Sequence, residues 1–358
     1  MPLKLKIETP ASSVTVTENL TTVLSTVMKC YNQENIFILV DENTRRFCLP
    51  EISETAGINR AKIIEIKSGE ENKSIDTCGI IWNFLSSNGA DRESLLINLG
   101  GGVICDMGGF AAATFKRGID FINIPTSLLA QVDASVGGKL GINFLNLKNE
   151  IGLFQEPRYV LVYPAFIRTL DRENILSGFA EMIKHALISN EEHYNSLKQV
   201  DIHNPDPDLL MMLIFESIRI KNNFVSCDFK DKNKIKALNF GHTLGHAVES
   251  LSMIRGRPVR HGIAIARGMI GELYLSCKCN GFDKTISDDI CQFIFNIFQG
   301  PDFNKDDQPC LAELITHDKK NKSAMLNFTL LADIGKVTTD NYPAEKDIFE
   351  AIEFMNTF

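Results

Sequence analysis

The run Ser94-Leu95-Leu96-Ile97-Asn98-Leu99-Gly100-Gly101-Gly102-Val103-Ile104-Cys105-Asp106 decides the fold. Its first six residues are apolar apart from Ser94 and Asn98, the pattern of a strand buried on both faces in a parallel sheet. Gly100-Gly101-Gly102 closes that strand and apolar residues resume behind it, so the spacing predicts a strand, a tight turn and a helix. Glycines there let backbone N–H groups approach an anion such as a pyrophosphate, and the helix offers its positive end. Asp106 stands where an acid could bind a polar part of a dinucleotide. The triplet is not a GxGxxG fingerprint, and taken alone it fits equally well a tight turn with no ligand.

Outward from this run, Asn35 to Val40, Lys62 to Ile66 and Phe121 to Pro125 read as further strands, separated by turn and helix patterns. Alternation at that spacing predicts an α/β domain with a mainly parallel sheet. After about residue 170 the texture changes. Arg172 to Ser189, Pro207 to Cys227, Gly241 to Met253 and His261 to Asn280 carry apolar residues three and four apart, which predicts helices. A strand-like run returns only at Ala324 to Leu331. We therefore read residues 1–170 as an α/β domain and 171–358 as a helical domain.

The composition agrees with this reading. The 358 residues, 44% hydrophobic and 23% charged, suit two globular domains. A net charge of −8 argues against nucleic acid as partner. No stretch reaches the roughly 18 apolar residues of a membrane span, and Met1-Pro2-Leu3-Lys4 leads into no signal-peptide core. Nine scattered cysteines resemble neither a disulfide framework nor a zinc ribbon, which points to a reducing, cytoplasmic setting.

The second half holds Glu181 with Lys184, then His242, His246 and His261. His242 and His246 are four apart, so a single helical face carries both imidazoles. Imidazole nitrogens with a carboxylate make a shell for a divalent ion that leaves a position open for substrate. On spacing alone, both helical histidines are candidate ligands, and both are equally at home in a core or on a surface. Cations and amides are also plentiful: Arg117, Lys139, Lys148, Asn149, Lys184, Lys221, Asn239, Lys319 and Lys320. Lys139 follows Gly137-Gly138, which we read as leaving room for a ligand beside the ammonium.

Several ordered stretches together resemble the 3-dehydroquinate synthase family. They are Gly100 to Asp106, Gly109 to Gly118, Pro125 to Lys139, Ala180-Glu181-Met182-Ile183-Lys184, Leu238 to His246, and His261-Gly262. The resemblance implies an N-terminal Rossmann-like NAD-binding domain, a C-terminal helical metal-binding domain and a site in the cleft between them. It implies Glu181, His242 and His261 as ligands of zinc or another divalent ion such as cobalt, with His246 turned to substrate. NAD contacts carry over to Glu70, Lys73, Gly101, Gly102, Asp106, Thr126, Ser127, Lys139, Lys148 and Thr169. Substrate or nicotinamide contacts carry over to Asp133, Lys139, Lys148, Asn149, Lys184, Lys221, Asn239 and His246. The Arg117 position implies reach into a neighbouring subunit's site, hence a homodimer.

The activity implied is that of a phosphate-eliminating lyase early in aromatic (shikimate) biosynthesis. A seven-carbon 3-deoxy sugar acid phosphate would become 3-dehydroquinate and phosphate through transient oxidation by NAD, elimination, re-reduction, ring opening and aldol closure. One position departs from the pattern. Where the family usually has an arginine for the substrate's anion, this chain has Ile235, flanked by Lys234 and Lys236. Isoleucine cannot grip a carboxylate through two hydrogen bonds, so that work is expected to fall to Lys221 with Lys234 or Lys236. A related inosose- or valiolone-type cyclase, whose substrate lacks the carboxylate, is the alternative. A metal-dependent polyol dehydrogenase and an inactive nucleotide- or protein-binding paralogue stand further off.

Overall fold

The computed structural model describes residues 4–9, 11–145, 147–202, 204–227, 234–299, 303, 305–317 and 326–357. Lys319 and Lys320 lie outside the described residues. The chain divides into two compact units, one of Met1–Asp171 with Pro207–Arg219, the other of Arg172–Asp206 with Ile220–Phe358.

The first unit contains strands β1 (Lys4–Glu8), β2 (Ser13–Thr17), β3 (Ile36–Asp41), β4 (Lys62–Ile66), β5 (Leu95–Gly100), β6 (Asp120–Pro125), β7 (Lys139–Phe144), β8 (Leu147–Phe154) and β9 (Tyr159–Val162). Its helices are α1 (Leu20–Met28), α2 (Glu42–Phe47), α3 (Leu49–Ile52), α4 (Ile75–Ser87) and α5 (Gly102–Thr114). Seven strands form one sheet in the order β1-β2-β9-β6-β5-β3-β4, all parallel except the β1–β2 pair. Alternate residues divide its two faces. Ile36, Ile38 and Val40 of β3 pack with Leu95, Ile97 and Leu99 of β5 and with α1. Phe37 and Leu39 turn the other way, to Leu96, α4 and α5. Burial on both faces is why these strands read as continuous apolar runs.

The chain passes from β3 outward to β4, then returns to place β5 on the other side of β3. The strand order therefore reverses between β3 and β5, and the glycine turn leaves β5 at that point. In open parallel sheets such a switch point, at the carboxyl ends of the strands, is where ligands bind. Strands β7 and β8 form a separate antiparallel hairpin. Gly137 and Gly138 precede it with φ of 104° and 63°. A Cβ on Gly138 would fall 3.0 Å from the Gln155 backbone. The chain's own turn therefore gives a reason for glycine at both positions, apart from any ligand beside Lys139.

The second unit holds α6 (Arg172–Leu187), α7 (Glu191–Lys198), α9 (His242–Ile254), α10 (His261–Asn280), α11 (Lys284–Phe298), α12 (Gln308–His317), α13 (Glu345–Met355) and the hairpin of β10 (Phe328–Asp333) and β11 (Lys336–Asn341). Helix α8 (Pro207–Cys227) contributes Pro207–Arg219 to the first unit and the rest to the second. Helix α10 is the centre of the second unit, packed on α6, α9, α11 and α13. Two close approaches define it. A Cβ on Gly262 would fall 1.9 Å from the carbonyl oxygen of Ser177 on α6, and one on Gly268 would fall 2.0 Å from that of Gly241, before α9. Only glycine allows the backbones to meet this closely, and the residues that meet there carry the site.

Candidate active site

Helix α6 is buried almost throughout from Leu176 to Leu187, including Glu181 and Lys184. Removing a carboxylate and an ammonium from water is costly unless each compensates the other. One helical turn apart, Lys184 Nζ and Glu181 Oε2 form an ion pair. The other oxygen, Oε1, lies 3.9 Å from His242 Nε2 and 3.8 Å from His261 Nε2.

The partners of the two Nδ1 atoms assign both tautomers. His242 Nδ1 is 3.2 Å from the carbonyl oxygen of Phe240, and His261 Nδ1 is 3.2 Å from Glu249 Oε2. A carbonyl or ionised carboxylate can only accept, so each Nδ1 carries the proton and each Nε2 presents a lone pair. Burial, with the Lys184 ammonium next in effect, holds the His242 pKa down at about 3 and the ring neutral. Burial would also lower His261, but the Glu249 hydrogen bond and the charges of Glu181 and Glu249 outweigh it, and the net shift is upward. The ligand atoms of His242, His246 and His261 all lie within 4.8 Å of one another.

The donors fit a divalent ion. Bonds of about 2.0–2.2 Å in a tetrahedral shell put ligand atoms roughly 3.3–3.6 Å apart. The Glu181 to histidine separations therefore need to contract by only a few tenths of an ångström.

Two carboxylates not singled out from the sequence brace this group. Glu272 of α10, fully buried, accepts from the backbone N–H groups of Gly241 (2.7 Å), Thr243 (3.0 Å) and Leu244 (3.2 Å). Gly241, with φ of 81°, has no side chain to cap α9, and Glu272 supplies the missing acceptor. Glu249 was legible in principle, since His242, His246 and Glu249 share a helical face at i, i+4 and i+7. The sign for Glu272 is weaker, a lone acid within the apolar run of α10.

In the first unit, sequence-expected residues gather beyond the carboxyl ends of β4, β5, β6 and β9. Buried Lys73 reaches Asp106 Oδ2 at 2.6 Å and Asn149 Oδ1 at 2.5 Å. Asn143, which the sequence reading missed, joins them to Glu70. It donates to Glu70 Oε1 at 2.9 Å and accepts from the Asn149 N–H at 2.9 Å. Asn149, expected at the substrate, thus bonds to Lys73, a residue expected at the cofactor. Burial pushes the pKa of the Cys48 thiol up to about 11, against an opposing effect of Thr169 and Thr126.

Gly101 is informative because nothing internal demands glycine. Its φ is −73°, and a Cβ would lie 3.4 Å from Ser127 Oγ, an ordinary contact; one on Gly102 would be 3.4 Å from Ala134. Gly100, by contrast, is forced, since its Cβ would collide with Ile104 at 2.4 Å. Bare backbone at 101 and 102, at the uncapped start of α5, is the cradle an anion needs.

The other expected residues are more dispersed. Asp133 is half-buried in a π-turn (Ala130–Ala134), Lys139 and Lys148 are exposed on the β7–β8 hairpin, and Arg117 is exposed. Lys221 is buried on α8, and Asn239 is exposed just before the N-terminus of α9. Ile235 is 3% exposed, and Lys236 pairs with Asp340 Oδ1 at 2.8 Å. Asn327 donates to the same oxygen at 2.6 Å. Lys236, one of the two lysines expected to stand in for the missing arginine, is thus paired to β11 here.

Comparison with known proteins agrees with the sequence resemblance. Residues 63–177 match the model of the 3-dehydroquinate synthase N-terminal domain, and 178–321 that of the C-terminal domain. The 3-dehydroquinate synthase of Parabacteroides distasonis is 46% identical over 341 residues, 95% of this chain and 97% of the relative. That of Clostridium tetani is 35% identical, over 91% of this chain and 87% of the relative. Among solved structures, 2-deoxy-scyllo-inosose synthase with carbaglucose-6-phosphate, NAD+ and Co2+ matches at a TM-score of 0.84 and 22% identity, covering 98% of this chain and 99% of the other. The 2-epi-5-epi-valiolone synthase of Streptomyces hygroscopicus, with NAD+ and Zn2+, matches at 0.85 and 19%, covering 98% of both. With both halves matched in order and near-complete coverage at 46% identity, this chain belongs to the 3-dehydroquinate synthase family.

Proposed function

We infer that the chain is a 3-dehydroquinate synthase, a phosphate-eliminating lyase that cyclises a seven-carbon 3-deoxy sugar acid phosphate. The observation that carries this is the 46% identity over 95% of the chain with a 3-dehydroquinate synthase. Inosose- and valiolone-forming cyclases share the fold at 22% and 19% identity, so they support the architecture and not the substrate.

In this reading Glu181, His242 and His261 hold a divalent ion, supported by two Nε2 lone pairs and a carboxylate oxygen that face one another. NAD lies over Gly101 and Gly102, with Asp106, Glu70, Lys73, Thr126, Ser127 and Thr169 around it. The bare glycine backbone and the uncapped α5 support that placement. When bound, NAD supplies a reversible hydride acceptor and the ion supplies a Lewis acid for the substrate hydroxyls.

The protein's own groups do the rest. Lys184 neutralises Glu181 Oε2 and leaves Oε1 directed at the histidines. His246, on the face of α9 that carries His242, is placed to hold or pass a substrate proton. Asp133, Lys139, Lys148, Asn149, Lys221 and Asn239 orient the substrate's hydroxyls and anions. Because Ile235 is buried and cannot pair with an anion, the carboxylate is left to Lys221 with Lys234 or Lys236. A homodimer in which Arg117 serves the partner's site is supported by the exposed apolar residues Phe144, Leu145, Leu147, Ile151 and Phe154 of the β7–β8 hairpin. Cys30, Cys48, Cys78, Cys105, Cys277, Cys279, Cys291 and Cys310 are free thiols, in keeping with a cytoplasmic setting.

The test is phosphate release from the seven-carbon acid sugar phosphate with catalytic NAD. Turnover without lasting NADH absorbance is expected. Phosphate release from a hexose or neutral heptulose phosphate alone would move the assignment to another cyclase, and net NADH accumulation would move it to a dehydrogenase.

A further inference from the structure

His242 and His261 present the same nitrogen by different means. The Nδ1–H of His242 is held by the carbonyl of Phe240, two residues back in its own chain. Helix α10 begins at His261, and that histidine's Nδ1 is instead held by a side chain on another helix, Glu249 of α9. We propose that Glu249 is a positioning residue for His261. Its buried carboxylate takes the Nδ1–H and thereby fixes the tautomer and the ring flip in which Nε2 faces Glu181. This rests on the reading of Glu181, His242 and His261 as the metal shell.

The geometry leaves the ring little choice. Nδ1 lies 3.2 Å from Glu249 Oε2 while Nε2 lies 3.8 Å from Glu181 Oε1, so the imidazole spans two carboxylates. Moving the proton to Nε2 would set the Nδ1 lone pair against the buried Glu249 carboxylate and repel it, and flipping the ring would replace the N–H donor with a C–H and turn Nε2 away from Glu181. The backbone around Glu249 is itself anchored. Ser252 Oγ donates to the Glu249 carbonyl at 2.6 Å and accepts from the Val259 N–H at 3.2 Å, tying the end of α9 to the segment that leads into His261. A carboxylate on the far nitrogen also makes the near one a stronger donor to a cation. The brace is reciprocal: α9 fixes the first residue of α10 through Glu249, and α10 caps α9 through Glu272.

The experiment titrates metal-free, full-length protein with Co2+ against a competing chelator, following the cobalt absorption bands. Nitrogen-15 spectra of the histidine rings are recorded in parallel. Glu249→Ala is expected to bind Co2+ about 10–100-fold more weakly. The Nε2–H form of His261 should gain population while His242 keeps its wild-type spectrum. Glu249→Gln, which still accepts a hydrogen bond but carries no charge, is expected to lose about three- to tenfold and to keep the tautomer. A folded Glu249→Ala with wild-type Co2+ affinity overturns the proposal. Weaker binding with an unchanged His261 tautomer also overturns it, because that is the mark of a merely structural tie. Should Glu249→Ala fail to fold, wild-type Co2+ affinity in Glu249→Gln overturns it. His261→Ala separates the underlying reading: full affinity there sinks the donor set, whereas loss there with none in the Glu249 variants sinks only the role of Glu249.

Discussion

In the proposed function the glycine turn of the first unit and the histidine cluster of the second solve the same problem, holding a charged guest, by opposite means. Around the turn the recognising groups are backbone amides and short side chains, each a few residues beyond a strand that a parallel sheet already fixes. Within the cluster the groups are side chains from three helices, with Glu181 some sixty residues before His242. They meet because two glycine contacts let α10 close on α6 and on the start of α9, and because two buried carboxylates tie α9 and α10 together. A local site is damaged at its own residues. A site assembled across helices is damaged as well by residues that touch no ligand.

The largest effect should come from the cluster's own donors. Replacing His242, His261 or Glu181 with Ala should remove bound metal and lower turnover by about a thousandfold or more, since the ion's charge stabilisation is worth several kcal/mol. NAD affinity measured by calorimetry should stay near wild type. A steep loss of NAD binding in His261→Ala would break the contrast, because it would couple the two regions.

Next in size is Ile235→Arg. The position is 3% exposed, and a guanidinium there is a buried charge without a built partner. We expect a loss of about 3–5 kcal/mol in the second unit, read by chemical denaturation, and no improvement in KM for the acid sugar phosphate. A stable variant with tighter substrate binding would show that the arginine's place survives here despite the burial of Ile235.

Gly101→Val sharpens the contrast from the other side. Backbone conformation and neighbours tolerate the side chain, so stability and metal content should hold. Charge-assisted hydrogen bonds of about 1.5–3 kcal/mol are at stake, which corresponds to NAD affinity lower by about 10–150-fold. Unchanged affinity would mean that the cofactor does not lie on this turn.

The smallest expected effect is that of Glu272→Gln. It keeps an acceptor for part of the cap but removes the negative charge from the start of α9, at a cost of about 1–2 kcal/mol. Thermal unfolding should register this, and metal affinity should fall modestly with it. If stability falls while metal affinity does not, the cap holds the helix without tuning the site.

The sequence by itself determined the class of each half. Runs such as Ile36 to Val40 had to be two-sided strands, and the three- and four-residue spacing of Arg172 to Leu187 and His261 to Asn280 had to be helices, because burial imposes those periods locally. It also supplied the glycine turn, the histidine spacing and the family. It did not disclose the β7–β8 hairpin, whose second strand is almost wholly exposed and so carries no core-facing alternation. Nor could it show that Lys236 pairs with Asp340, that Asn143 links Glu70 to Asn149, or that Glu249 and Glu272 brace the histidines. Those facts depend on which helix faces and loop ends meet across tens of residues. That is settled by close packing and by the need of every buried charge for a partner, and neither leaves a period in the chain.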